Sequence, residues 1–248
     1  GSETARPNFE MGATDISGVY IYGSLILNSQ VGIDLPPMVN FYFRATEAQN
    51  INTFGYVFPN NVEFDGKDGV WNMLADFQTE GDLFIRHGKL VANGNLLECK
   101  SLTSTDTPEG INSRGLDIAN SNVIINGSED GSGRSVYINL ADEFYDQGFE
   151  LIADNSTVKL ADNAELVLVG TGAHSISFNE LIFENDGELE SGFSGLDVYV
   201  SHLLFKGNGN INGKNNSFGT LELSRGFEFK FEKGRTITTD NLLVEGSC

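Results

Sequence analysis

The sequence predicts an all-β fold, a single parallel, right-handed β-solenoid with about 20 residues per coil, the length that suits one turn of a parallel β-helix. Three observations predict it. Helical periodicity is almost absent, since few windows keep apolar residues at i, i+3, i+4 and i+7 beyond two turns. Short β-type runs occur throughout, each followed within a few residues by Gly, Asn or Asp. The last third of the chain repeats itself loosely: Asn179–Glu184, Ser201–Lys206, Gly219–Ser224 and Asp240–Glu245 share the pattern x-x-apolar-x-apolar-polar.

The runs, in order, are Val19–Tyr22, Phe41–Phe43, Asp82–Ile85, Asn122–Ile125, Leu166–Val169, Asp197–Val200 and Phe227–Phe231. The repeat has its first apolar residue at Leu181, Leu203, Leu221 and Leu242, at intervals of 22, 18 and 21 residues, and each copy is followed by a glycine, Gly187, Gly207, Gly226 and Gly246. Similar positions extend backwards to Val158, Val123, Leu102, Leu83 and Val62. The long step from Val123 to Val158 reads as an inserted loop around Glu143–Gly148. One coil cannot bury its own inward row, whereas coils stacked about 4.8 Å apart align their apolar rows into a core. Gly and Asn supply the corners by tolerating positive φ, as in Gly207–Gly213 and Asn93–Asn95.

Register follows from Leu221-Glu222-Leu223. The central carboxylate belongs in water, so 221 and 223 point inward. Ile182, Leu204 and Leu243 then form an outward apolar row that needs a cover, from this chain or from a neighbour. The competing architecture is an antiparallel β-sandwich or jelly roll, which residues 1–60 could fit, being aromatic-rich and holding Pro36-Pro37. Hairpin signals between paired runs are sparse in the repeat region, and unit self-similarity is better explained by coiling. The chain reads as one domain over 1–248, less regular over 1–60 and repetitive over 61–248.

With 35 acidic against 15 basic residues in 248, the chain carries a formal charge of −20 spread along its length. A field of that sign repels phosphate backbones and anionic lipid, so neither nucleic acid nor membrane insertion is expected. No apolar run approaches a transmembrane length, and the N-terminus lacks the order of a signal peptide. Gly1-Ser2 reads as a cloning remnant of a longer precursor. The repeat runs to Gly246–Cys248 without a polar cap, so the native polypeptide is expected to continue.

Candidate chemistry is sparse. His87, His174 and His202 belong to no metal pattern and read as bystanders. Gly192–Gly195 breaks the spacing of a nucleophile elbow, and Gly131–Gly133 is followed by no phosphate-loop lysine or helix start. Asp65 with Asp68, or Asp142 with Glu143 and Asp146, could supply oxygen ligands to calcium, although solvated acidic turns are the better account of them. Glu180, Glu184, Asp186, Glu188 and Glu190 form a dense carboxylate run of the kind sugar-cleaving β-helices use, but basic partners are few. Exposed aromatics stack on sugars, which makes Trp71, Tyr20, Tyr22, Tyr42 and Tyr56 the candidate glycan platforms, most of them expected in the core. Cys99 and Cys248 lie several coils apart and should not pair. No catalytic residue and no cofactor is assigned.

Trp71–Gly88 and the units Gly219–Ser224 and Gly234–Cys248 resemble the loose repeats of large cell-surface adhesins from Bacteroidetes, including gliding bacteria, with the likeness covering residues 60 to 248. The resemblance implies an exported, extracellular or cell-surface segment of a very long polypeptide, acting as stalk or adhesive module. Its partners would be neighbouring domains of the same polypeptide and surface glycans or proteins. That pattern defines no binding residues. The alternatives are a carbohydrate-active β-helix enzyme, a polysaccharide lyase or glycoside hydrolase, and a glycan-binding module.

Overall fold

The computed structural model describes residues 8–10, 18–28, 32–34, 38–105, 114–127, 134–139, 149–169, 174–191 and 196–245. Within them every regular element is a strand, and the strands stack in parallel as a solenoid of about 8 turns, roughly 22 residues apart. One sheet has 14 strands, a second has nine, and Asn8–Glu10 pairs separately with Gly32–Asp34. Parallel neighbours cannot be joined by hairpins. The antiparallel sandwich is thereby excluded.

The core is built as columns, one residue per coil. In the nine-stranded sheet one column runs Phe77, Leu97, Val123, Val158, Leu181, Leu203, Leu221, Leu242. The four repeat leucines therefore stack as their spacing predicts. Val62, Leu83 and Leu102 do not belong to this column. They stack in the 14-stranded sheet within a second column: Val19, Phe41, Val62, Leu83, Leu102, Val136, Leu166, Leu189, Ile211, Phe231. Each coil carries an inward apolar residue on more than one face, so spacing alone cannot assign a residue to a face. Val123 pairs directly with Val158, so one coil absorbs the long step; the loop expected at 143–148 lies outside the described residues.

Burying each of the Leu or Phe side chains inside these columns is worth about 1.5–3 kcal/mol. Aromatic residues reinforce the columns by stacking along the axis: Phe43 on Phe64 at 4.9 Å, Phe58 on Phe77 at 4.9 Å, and Phe183 on Phe205 at 4.6 Å with 3° between the planes. Cys99 is buried in the same interior and free. Burial, with Asp82 and Glu98 adding to it, pushes its thiol far up, so it stays protonated and unreactive.

Where Val62–Met73 and Leu83–Val91 turn a corner, the Trp71 indole lies against bare backbone. A Cβ on Gly66, Gly69 or Gly88 would approach both a backbone carbonyl and this ring. Among the described residues the buried Trp71 Nε1 has no hydrogen-bond partner, and the ring is held there by packing.

Another corner repeats a left-handed residue: Phe54 at φ 50°, Asn93 at 54°, Asn120 at 58° and Asn155 at 54°. Asn tolerates this conformation, and Asn155 Nδ2 donates to Asn120 Oδ1 across 3.3 Å. Phe54 does not tolerate it, and its side chain is exposed. Phe54→Asn is accordingly expected to raise the unfolding free energy by about 1 kcal/mol, by relieving left-handed strain without opening the core; a urea titration with unchanged or lowered midpoint would refute it.

The outward row predicted at Ile182, Leu204 and Leu243 exists as a register, interrupted by Glu222. Its cover is uneven. Ile182 is buried, Leu204 half-buried and Leu243 exposed.

Candidate functional site

The densest chemistry lies on the outer surface of the 14-stranded sheet, on strands Ala164–Val169, Gly187–Ser191 and Gly209–Gly213. Alternation places it there. Leu166, Leu168, Leu189 and Ile211 are buried, so the intervening Glu165, Glu188 and Glu190 must project to the outside. Register brings Glu165 level with Glu188, and Val167 with Glu190. The three carboxylates come within 4.8 Å of one another.

Two of them, Glu165 and Glu188, line an open groove of about 520 Å³ together with Asp186, Asn208, Glu228 and a single cation, Lys230. The groove follows a corner held by an Asx ladder: Asn208 donates to Asp186 from its backbone at 2.8 Å and from its side chain at 3.0 Å, and Asn208 Oδ1 accepts from the Glu228 backbone at 2.8 Å. Gly187 and Gly209 are obligatory behind it, because a Cβ would meet Phe183 Cδ1 at 2.1 Å and Phe229 Cδ1 at 2.7 Å.

The two hydrogen bonds from Asn208, side chain first and backbone second, hold the Asp186 carboxyl below the usual carboxylate range. A lowered folded value means stability that is present above the unfolded value and lost as pH falls through the folded one. The difference in melting temperature between wild type and Asp186→Ala is therefore expected to be constant at neutral pH and to shrink below about pH 4. A difference that grew on acidification would contradict this.

Glu188 and Glu190 belong to the acidic run visible in the sequence; Glu165 was missed. It sits 23 residues upstream of Glu188 and joins it only through stacking. The signal was available in the shared order Glu165-Leu166 and Glu188-Leu189. Three half-exposed carboxylates so close can supply oxygen ligands to a hard cation. Glycoside hydrolysis uses carboxyl pairs about 5–10 Å apart, a wider spacing than the 4.8 Å within which these three approach. Acid–base work needs environments that differ between the two carboxylates, and these three share one open surface.

A second cluster crosses three coils of the nine-stranded sheet. His202 Nδ1 faces Glu180 Oε1 at 3.2 Å and its Nε2 faces Glu222 Oε2 at 3.0 Å. Only a ring with protons on both nitrogens donates both bonds. Thr157 extends the ladder, donating to Glu180 Oε2 at 2.7 Å.

No family model, no curated protein and no solved structure matches this chain. The residues themselves carry whatever functional reading is made.

The sequence-predicted candidates disperse. Trp71, expected among the possible sugar platforms, is wholly inside and offers no face to a ligand. Tyr20 and Tyr42 stack on each other, centroids 4.8 Å apart, so each ring covers a face of the other. Tyr56 packs edge-on against Phe58 at 5.3 Å. Tyr22 alone of the five is mostly exposed, at 69%. Asp65 is engaged by Arg44 at 3.0 Å and by His87 Nδ1 at 2.6 Å, an ion-paired corner away from the carboxylate cluster. Asp68 occupies a left-handed turn at φ 61°. Asp142, Glu143 and Asp146 lie outside the described residues, as does Cys248.

Proposed function

We propose that this chain is a non-enzymatic structural or adhesive module of a large exported cell-surface protein, working without a resident cofactor and in contact with neighbouring units of the same polypeptide. The observation that carries this reading is the continuity of the stack. Two apolar columns run through the stack, and the ten strands that carry the second make a rod of roughly 43 Å at the strand spacing of about 4.8 Å. Each coil contacts chiefly its neighbours, and such an array transmits load along its axis and adds length coil by coil. The acidic exterior keeps the rod soluble and unattractive to anionic surfaces. The resemblance of residues 60 to 248 to adhesin repeats of Bacteroidetes supports the same reading and the extracellular location.

The test is turnover. Purified chain incubated with acidic and neutral polysaccharides is expected to release neither new reducing ends nor unsaturated products. Release of either would overturn the reading.

A second reading rests on one feature, the open groove lined by Glu165 and Glu188, with Glu190 beside them in the carboxylate cluster. A carbohydrate-active β-helix would place its carboxylates on such a face, across adjacent coils. Under that reading activity would be found and would fall at least about 100-fold in Glu188→Gln, the scale of losing a general acid or base.

A further inference from the structure

On the strands between the two edges of the nine-stranded sheet, Tyr199 is the one large apolar side chain among the described residues that stands exposed, at 41%. It lies on Leu196–Phe205, with His174–Phe183 stacked on one side and Asn216–Leu223 on the other. Coils follow it in both directions, so its exposure does not come from an end of the stack. Its strand is legible in the sequence as the run Asp197–Val200, but Tyr199 is not among the five rings named there as sugar platforms.

Its neighbours leave the ring open. Register sets Ser177 level with it on one strand and Ser217 on the other, with Thr238 next in the row, and these side chains are too short to cover a phenol. The next outward position beyond Ser217 is Gly219, where a Cβ would meet the Tyr199 hydroxyl at 3.2 Å. The ring therefore leans over the following coil, and the glycine leaves room for it. Tyr20 and Tyr42, by contrast, close each other's faces at 4.8 Å, with Arg44 against both rings. Among the described residues no ring or cation packs on Tyr199 in this way.

Two residues back, on the same side of the strand and about 6.6 Å along it, stands the exposed Asp197, with Ser175 level with it. An open aromatic face bordered by a carboxylate and hydroxyls matches a pyranose. The C–H groups of one sugar face pack on the ring, and hydroxyls at the sugar's rim donate to the carboxylate. Charge narrows the choice of sugar. Asp197, in a chain of −20, repels carboxylated or sulfated units.

We propose that Tyr199, with Asp197 and the serines beside it, is a binding platform for a neutral pyranose unit of a glycan. A single stacked ring supports weak, millimolar binding, and a repeating polysaccharide gains avidity by engaging several copies of the chain at once. The site supplies the ligand class for the adhesive form of the reading above and rests on that reading.

Saturation-transfer NMR of the whole chain with maltohexaose, cellohexaose and mannohexaose, and with an oligogalacturonate as the anionic comparison, tests this. Transfer to the C–H protons of at least one neutral oligomer is expected, and none to the oligogalacturonate. Tyr199→Ala is expected to weaken binding at least about 10-fold, while Tyr199→Phe, which keeps the ring, retains it. The side chain is exposed, so both variants should melt with wild type, which separates lost binding from misfolding. Tyr22→Ala removes another exposed ring and should change nothing. Transfer to no neutral oligomer overturns the proposal and leaves the ring to a protein partner; transfer that survives Tyr199→Ala, or that vanishes in Tyr22→Ala, overturns it as well. None of these results touches the stack as a structural module. Cleavage of a bound oligomer would instead overturn the non-enzymatic reading and leave the platform in place.

Discussion

Replacing Gly66 by alanine is expected to lower the unfolding free energy by about 3 kcal/mol, the upper end of what overpacking costs in a filled interior. The added Cβ would stand 1.8 Å from the Ala45 carbonyl oxygen and 2.9 Å from Trp71 Cζ2. The carbonyl belongs to backbone and cannot rotate away, and the indole is enclosed on its other side by Phe64, 5.1 Å between ring centroids. Relief requires the corner to open and the coils on either side of it to shift. Gly94→Ala is the informative comparison. Its φ of +79° is strained for alanine, but the nearest atom to a new Cβ is the Asn120 carbonyl oxygen at 3.7 Å, so only the conformational cost of about 1 kcal/mol applies. Urea denaturation of the two variants separates steric from conformational cost, and equal losses would refute the account of the Trp71 corner.

Truncating Phe205 to alanine is expected to cost about 3–5 kcal/mol, the range for removing a buried aromatic ring. Phe205 is completely buried, stacked on Phe183 at 4.6 Å on one side and edge-on to Phe229 at 6.2 Å on the other. Coils above and below are tied to their own hydrogen-bond ladders and cannot close on the void. Phe231→Ala, on the exposed end of the second column, is expected to cost less than about 1 kcal/mol, as for surface positions. A midpoint shift for Phe231→Ala as large as that for Phe205→Ala would refute the link between burial and stability along the columns.

Legibility in the sequence divides along the alternation of side chains. Leu181, Leu203, Leu221 and Leu242 were recognisable as one column because four consecutive copies keep the same flanking pattern, and the Leu221-Glu222-Leu223 triplet disclosed which residues face in. Val62, Leu83 and Leu102 were recognisable as inward but were assigned to the wrong face, since a coil with several apolar faces offers several equally spaced candidates. Asn120 and Asn155 stack at one corner, Asn155 donating to Asn120, and Asn93 turns the same corner one position earlier; the sequence disclosed only Asn93, because the spacing of the others is stretched by long coils.

The candidate site was half legible. Glu188 and Glu190 stand in an evident acidic run, whereas Glu165 is brought to them by stacking across one coil, and Glu180, His202 and Glu222 meet only because register aligns three strands. Trp71 illustrates the opposite error. Its residue type suggested a ligand platform, and the glycines that enclose it, Gly66, Gly69 and Gly88, lie in two different coils.

The sequence by itself determined the class of fold, its parallel coiling, the inward rows of the repeat and the sign of the surface field. These follow from periodicities within one coil, and periodicity is a local property. Only the tertiary structure decided which rows share a face and which carboxylates become neighbours. Those depend on how many residues each loop consumes between coils, and loop length varies freely while the strands it joins remain about 4.8 Å apart.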